Sequence, residues 1–319
     1  VTVKQSAVEI GSRTVKLKNK SSDYLERVGD WMVTSLHEKH QAGQFTITVE
    51  LDPPKSASVN KTFKEAAQLL DKVDAINIAD CPMAKLRMSP IALAHLIKFR
   101  AQIDTIFHLT CRDRNILGLQ AELLGAAALG VNNILTLTGD EPSRGDHPDA
   151  KPVFEVDSIG LLKIANTLNN GFDLAGNPLD ESTNFYIGTT GNPGADDLDA
   201  EKAKIIRKIE AGANFIQTQP IYDLEKAKRF VDMVEPLGLP VMLGLIPLKS
   251  FKMATYLHTK VPGIFLTDDI LNRMEKGGKE AGLEIALETL LAIKQIAHGV
   301  HIMPLNDIQT VLYLIDHIS

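Results

Sequence analysis

Cysteine is scarce in this chain of 319 residues, which contains only Cys81 and Cys111. Two cysteines are too few for a disulfide framework or a four-cysteine metal site, so we interpret both as small buried hydrophobic residues. The first predicted strand also lacks an HxH pair, and we expect no catalytic metal. This low cysteine content fits a reducing compartment, and we expect a cytoplasmic location.

Long apolar runs and an excess of basic residues are missing as well. Lys and Arg number 34 and Asp and Glu number 40, which gives a formal net charge of −6. A mildly acidic balance does not favour nucleic acid or an anionic membrane as the main partner. No apolar stretch reaches the length that spans a bilayer, and the first residues lack the apolar region of a signal peptide. We therefore expect neither a nucleic-acid partner nor a membrane.

The sequence has no GxGxxG after its first strand and no P-loop, which argues against a Rossmann fold or a nucleotide-hydrolase fold. Past residue 40 it instead alternates short β-rich runs with longer runs of helical period. Eight such units in a row predict a closed (β/α)8 TIM barrel over residues 41–319. The predicted strands are Phe45–Leu51, Asp74–Ala79, Thr105–Thr110, Asn133–Thr138, Asn184–Thr189, Asn214–Gln219, Pro240–Ile246 and Gly299–Met303.

Residues 1–40 precede the first barrel strand and are predicted to form a helical N-terminal extension. The segment Tyr24–His40 has an amphipathic helical pattern and contains the only tryptophan, Trp31. We interpret it as a cap over the bottom of the barrel, and a subunit contact is the less favoured alternative.

Polar residues stand where several predicted strands end. Glu50 ends the first strand, His108 lies in the third, Asp140 follows the fourth, and Gln219 ends the sixth. In a barrel of this type the carboxyl ends of the strands build the active site, so these side chains are expected on one rim.

Each of these residues also has a purely structural interpretation. Glu50 could pair with a lysine, although no lysine ends another predicted strand. Asp140 could cap the turn after Gly139. His108 could be a hydrogen-bonded core histidine, and Gln219 could satisfy backbone groups before a proline.

Six segments, each at a strand end, resemble the methylenetetrahydrofolate reductase family, and the resemblance extends from about Phe45 to the C-terminus. The segments are FTITVELDPPK, NIADCPMAKLRMSP, HLTCRDRN, NILTLTGDEP, AGANFIQTQPIYD and GLIPLKSF. The resemblance implies a flavin-dependent enzyme that reduces 5,10-methylenetetrahydrofolate to 5-methyltetrahydrofolate by hydride transfer from the reduced flavin.

The family's functional residues carry over to matching positions. The resemblance implies that Glu50 is the general acid that protonates N10 of the folate, and such an acid works best with a pKa raised by partial desolvation. It implies that Asp140 stabilises the resulting cation, that Gln219 bonds to the folate and that Phe251 stacks on it. The implied flavin contacts are His108, Thr138, Gly139, Asp140, Asn192, Ala195, Glu201, Lys204, Arg207 and Lys208.

Several positions depart from the family pattern. Thr138 stands where better-known members have arginine, and Gly188 aligns with a flavin-stacking tyrosine. Glu201 replaces an aspartate at the ribose, and Asp307 replaces an arginine that can meet the folate tail. The general acid, the aspartate and the glutamine are retained, whereas the departures leave the choice between FAD and FMN open.

The residues leave several functional hypotheses. The leading one is a reductase that takes electrons directly from NADH or NADPH and forms a homo-oligomer. A second gives the reduction step to an electron-donating partner subunit. The others are a folate-binding subunit without flavin and an unrelated barrel lyase.

Overall fold

The computed structural model describes residues 8–10, 13–15, 35–261 and 263–318. The chain divides into two compact units, residues 1–33 and residues 34–319. In the first unit, strands β1 (Val8–Ile10) and β2 (Arg13–Val15) pair antiparallel, with Val8 opposite Val15. Of the predicted helix Tyr24–His40, residues 24–34 lie outside the described residues. The last part of the predicted helix, residues 35–40, belongs to helix α1, Ser35–Gln41.

The second unit confirms the predicted (β/α)8 TIM barrel. Eight parallel strands follow one another around the barrel in chain order, and the last pairs with the first. The strands are β3 (Thr46–Leu51), β4 (Ala75–Ile78), β5 (Thr105–Thr110), β6 (Asn133–Leu137), β7 (Tyr186–Gly191), β8 (Phe215–Pro220), β9 (Val241–Leu245) and β10 (Gly299–Ile302).

Helices alternate with these strands on the outside of the barrel. They are α2 (Asn60–Leu69), α3 (Pro90–Ala101), α4 (Ile116–Ala128), α5 (Ser158–Asn169), α6 (Leu198–Glu210), α7 (Leu224–Val234), α8 (Phe251–Lys260), α9 (Asp268–Ile296) and α10 (Ile308–Asp316). Side chains that set helix starts are visible in the sequence, since Asn115, Asp157 and Asp223 each accept a hydrogen bond from a backbone N–H of the first turn.

The largest apolar core lies between the strands and the surrounding helices. Outward-facing strand residues such as Val49, Ile134 and Ile302 are fully buried there. Parallel strands covered by helices bury both faces, which explains why these strands look almost continuously apolar in the sequence.

A second, smaller core fills the barrel interior at its N-terminal end. Leu36 of α1 inserts there against Tyr186 and Phe215, so α1 closes the bottom of the barrel. His40 of α1 forms hydrogen bonds with the Tyr186 hydroxyl at 2.8 Å and the Thr46 hydroxyl at 3.0 Å. Burial, together with the charges of nearby histidines, lowers the pKa of His40 from 6.5 to about 4. With this end filled, the open space of the barrel lies at the other end.

Candidate active site

The carboxyl ends of the barrel strands surround a cleft of about 520 Å³, which we call the central cleft. Strand ends and the loops after them supply its polar lining, and these elements come from most of the barrel. Six of the residues singled out in the sequence line it: Glu50, His108, Thr138, Gly139, Asp140 and Gln219. The structure therefore brings the predicted general acid, aspartate and glutamine to one site.

Glu50 faces a histidine from the last barrel strand. Its Oε2 lies 3.7 Å from Nε2 of the buried His301, and Nδ1 of His301 lies 3.1 Å from the Thr48 hydroxyl. Burial raises the pKa of Glu50, but its interactions with His301, and to a smaller extent with His108, outweigh burial, and the net pKa is lowered. The expectation that desolvation would raise this pKa is therefore wrong, because it did not include His301.

His108 belongs to a buried network that crosses the barrel. The side-chain amide of Asn77 donates to His108 Nε2 at 3.0 Å and to the side-chain oxygen Oε1 of Gln217 at 2.9 Å. Burial lowers the pKa of His108 to about 4, so its ring is neutral at pH 7. Because Nε2 accepts from Asn77, the proton of the neutral ring is on Nδ1.

A buried ion pair fixes the floor of the central cleft. Asp80 accepts hydrogen bonds from the backbone N–H and the hydroxyl of Thr110, both at 2.9 Å. The same carboxylate pairs with the Arg114 guanidinium at 2.8 Å. The neighbouring Arg112 is buried and bonds to Asp113 at 2.7 Å. These contacts join the loop after β4 to the end of β5 and to the loop that follows β5.

Gly139 and Asp140 begin the loop that follows β6. Gly139 has φ +97°, and a Cβ at this position would lie 3.0 Å from Cβ of Thr110 and 3.2 Å from Cβ of Arg112. Only glycine fits this conformation and this space. Asp140 is exposed at the rim, and its carboxylate accepts no hydrogen bond within the described part of the chain. It therefore presents an unpaired negative charge to the cleft.

Further along, the same loop is tied to two of its neighbours. Asp146 accepts a hydrogen bond from Lys55 at 2.7 Å, in the loop after β3, and from the backbone N–H of Leu86 at 2.9 Å, in the loop after β4. These bonds, with one from His147, lower the pKa of Asp146. One carboxylate thus connects three of the loops that surround the cleft.

The other predicted flavin residues lie in the loop before α6 and along that helix, and they do not line the central cleft. Glu201 accepts a hydrogen bond from the backbone N–H of Asn192 at 3.0 Å, and the backbone N–H of Ala195 bonds to the Asn192 carbonyl at 3.2 Å. Lys204 and Arg207 are exposed on the helix surface. Glu201 therefore fixes the loop between β7 and α6.

Lys208 is fully buried and donates to the Thr190 carbonyl at 2.6 Å, near the end of β7. Burial lowers its pKa to about 8, and the charge of Lys204 adds to this effect. Phe251, predicted to stack on the folate, begins α8 with its ring half-exposed, and it does not line the central cleft. The roles predicted for Phe251 and for the residues around α6 stay predictions.

Sequence reasoning missed the two buried side chains that set the chemistry of the cleft, His301 and Asn77. Each is the polar residue of an otherwise apolar strand segment, GVHI in β10 and AINI in β4. That interruption was the available signal, since an inward-facing polar residue in a barrel strand needs a partner.

The described residues form neither a cluster of metal ligands nor a membrane-spanning helix. No group of three or more His, Cys, Asp or Glu side chains among them is placed to hold a metal ion. None of the described helices is both long enough and apolar enough to cross a membrane.

Comparison with known proteins decides the family. A family model described as methylenetetrahydrofolate reductase matches residues 35–319. The chain belongs to the methylenetetrahydrofolate reductase family. Among its relatives, methylenetetrahydrofolate reductase 1 of Schizosaccharomyces pombe is 26% identical over 86% of this chain, and 5,10-methylenetetrahydrofolate reductase of Pectobacterium carotovorum is 26% identical over 77%. The chain spans 46% of the length of the yeast relative and 80% of the length of the bacterial one.

Solved structures agree on the fold of this family member. A protein from Clostridium thermocellum, described as binding two copies of 5-methyl-5,6,7,8-tetrahydrofolic acid, has a TM-score of 0.57 at 16% identity, with 89% of this chain and 98% of that chain covered. A 2,3-dimethylmalate lyase has a TM-score of 0.52 at 10% identity, with 90% and 84% covered. At these identities both show the barrel alone.

Proposed function

We propose that this chain reduces 5,10-methylenetetrahydrofolate to 5-methyltetrahydrofolate, using hydride from a bound reduced flavin. Membership of the family supports the reaction, and the folate ligand named for the Clostridium thermocellum barrel supports the substrate class. The observation that carries the proposal is the meeting of Glu50, Asp140 and Gln219 in the central cleft.

The residues of the central cleft fit a flavin ring. An isoalloxazine has flat apolar faces and one edge of alternating acceptors and N–H groups. The cleft has apolar lining from Leu135 and Leu137 and polar groups from His108, Thr138 and the backbone at Gly139. Because Gly139 has no Cβ, a ligand can approach the backbone closely there. A reduced flavin bound at this place supplies the hydride.

The surface of α6 is suited to the phosphates of FAD, or to the phosphate of FMN. Lys204 and Arg207 are exposed there and can reach an anionic group. Lys208 already bonds to Thr190, so we assign it to holding the end of β7 beside the cofactor.

Glu50 is proposed to donate a proton to N10 of the folate. This transfer opens the five-membered ring and leaves a 5-iminium cation, which accepts the hydride at its methylene carbon. The unpaired carboxylate of Asp140 stabilises that cation electrostatically, and the Gln219 amide orients the pterin by hydrogen bonding.

The lowered pKa of Glu50 has a direct consequence for this step. His301 stabilises the carboxylate that remains after proton transfer, which makes Glu50 a stronger acid than an ordinary glutamic acid. The same contact reduces the protonated fraction at neutral pH. Folate reduction is therefore expected to become faster as the pH falls towards the pKa of Glu50.

An anaerobic absorbance titration tests the proposal. Protein reconstituted with FAD or FMN is titrated with NADH or NADPH, and methylenetetrahydrofolate is then added. Bleaching of the flavin by the nucleotide and its return with folate are the expected results. A flavin that ignores both nucleotides but is reoxidised by folate after chemical reduction would assign electron donation to a partner protein. Failure to bind either flavin would refute the proposal.

A further inference from the structure

Asn77 lies behind the polar lining of the central cleft. Its side chain is fully buried, and its amide nitrogen donates at 3.0 Å to Nε2 of His108 and at 2.9 Å to Oε1 of Gln217. His108 and Gln217 line the cleft, whereas Asn77 does not. Asn77 can therefore act on a ligand in the cleft only through these two neighbours.

The direction of the two hydrogen bonds follows from the groups that a primary amide contains. In the observed direction both N–H groups of Asn77 are used, and only its Oδ1 is buried without a partner in the described part of the chain. In the opposite direction Oδ1 would accept from both neighbours, and two N–H groups would be buried without partners. A buried N–H without a partner is rarer in proteins than a buried oxygen without one, and each such group costs free energy. The observed direction is therefore the favoured one.

This direction decides what His108 and Gln217 offer to a ligand. Because Nε2 of the neutral His108 ring accepts from Asn77, the ring proton is on Nδ1. Because Oε1 of Gln217 also accepts from Asn77, the amide nitrogen is the end of Gln217 that stays available. Neither His108 Nδ1 nor this nitrogen has a hydrogen-bond partner within the described part of the chain. The network thus leaves two N–H donors for the cleft.

We propose that Asn77 is a positioning residue that sets these two donors, and that the donors of His108 and Gln217 bind acceptor atoms of the oxidised flavin ring. The inference rests on the proposed function, which places the flavin in the central cleft. The acceptors of the ring are its carbonyl oxygens and its unprotonated nitrogens. N–H groups also stabilise the electron density that the ring gains on reduction, so they favour the reduced flavin. The resemblance to the family gives no role to Asn77 or Gln217.

Two substitutions of Asn77 separate the direction of the hydrogen bonds from their presence. Asn77→Leu has nearly the same size and no charge, and it removes both hydrogen bonds. Asn77→Asp offers acceptors in place of donors, so the ring proton of His108 should move to Nε2 and the Gln217 amide nitrogen should turn towards the aspartate.

Asn133→Leu is the matched control. Asn133 is also fully buried, its amide nitrogen donates to Asp104 at 2.9 Å and to the Thr105 carbonyl at 3.1 Å, and its Oδ1 also lacks a partner among the described residues. It begins β6 and does not line the central cleft. A loss of stability alone would therefore appear in this variant as well.

Nitrogen NMR of the ligand-free protein, labelled with ¹⁵N at histidine, measures the tautomer of His108. The signals that disappear in His108→Gln assign the ring. We expect a proton on Nδ1 in the parent and in Asn133→Leu, a proton on Nε2 in Asn77→Asp, and no single preferred tautomer in Asn77→Leu. A parent ring protonated on Nε2, or a tautomer that is the same in the parent and in both Asn77 variants, would overturn the inference.

Flavin titration and redox titration then measure the effect on the ligand. We expect Asn77→Leu to weaken binding of the oxidised flavin by about fivefold to tenfold, as for the loss of one or two hydrogen bonds. Its flavin midpoint potential should fall, and Asn133→Leu should match the parent in both measurements. Unchanged affinity and potential in Asn77→Leu would overturn the inference while leaving the proposed function intact. A parent protein that binds no flavin would refute the proposed function, and the role of the two donors with it.

Discussion

Substitution of Gly139 by alanine tests the structure of the central cleft at its tightest point. An added Cβ would approach the Cβ atoms of Thr110 and Arg112 at 3.0 and 3.2 Å. Neither neighbour can move freely, because Thr110 bonds to Asp80 and Arg112 bonds to Asp113. The strain must therefore fall on the loop that carries Asp140.

Two costs add up in Gly139→Ala. A non-glycine residue at positive φ costs roughly 1–2 kcal/mol, and overpacking of a filled site costs about 1–3 kcal/mol. The expected loss of unfolding free energy is therefore about 2–5 kcal/mol. Gly176→Ala is the matched control, since Gly176 has φ +88° and nothing within 4 Å of an added Cβ. Gly176→Ala should therefore show only the cost of a non-glycine residue at positive φ.

Urea unfolding of the ligand-free proteins gives the two stability changes, and a titration with FAD gives the flavin affinities. We expect Gly139→Ala to lose more stability than Gly176→Ala by about 1–3 kcal/mol, and to be the only one of the two with weakened flavin binding. Equal losses of stability together with unchanged flavin affinity would refute the reasoning, because the crowding at Gly139 would then have no effect.

Three further predictions concern charge. Asp140→Asn should slow the folate half-reaction more than flavin reduction in stopped-flow experiments, and equal slowing of both steps would contradict its role beside the cation. His301→Gln removes the imidazole that lowers the pKa of Glu50, so the pH dependence of folate reduction should move to higher pH; an unchanged pH profile would mean that His301 does not control the acidity of Glu50. The pKa of His40 falls from 6.5 to about 4 on folding, so its stabilising contribution is complete above pH 6.5 and is lost as the pH falls towards 4. His40→Gln should flatten that dependence in urea unfolding, and an unchanged slope would exclude His40 as a source.

The sequence predicts most of the fold because the strand and helix patterns are long and regular. The predicted strand Thr105–Thr110 matches β5 at both ends. The strand β7 is displaced, since it was expected from Asn184 and begins at Tyr186. The backbone N–H of Phe185 bonds to the side chain of Asn169 instead of joining the sheet. A contact between residues this far apart in the chain leaves no pattern in the local sequence from which the strand start could be predicted.

The candidate site was predictable only in part. Residues at the ends of strands, such as Glu50 and Asp140, meet where barrel topology requires. The residues that shift the pKa of Glu50 lie deeper in the barrel. Which strand residues become neighbours there depends on the register between adjacent strands. His301 lies opposite Thr48 in the ladder between β10 and β3, and this places it next to Glu50. Periodicity does not reveal that register in strands buried on both faces.

Glu50→Gln in a single-turnover experiment tests the central claim most directly. The variant keeps the shape of the side chain but has no proton to give, so it should bind flavin and be reduced by the nucleotide like the parent. Chemically reduced protein is then mixed anaerobically with methylenetetrahydrofolate, and flavin reoxidation is followed by absorbance. The account predicts that reoxidation is lost in the variant and present in the parent. Reoxidation of both proteins at the same rate would contradict it.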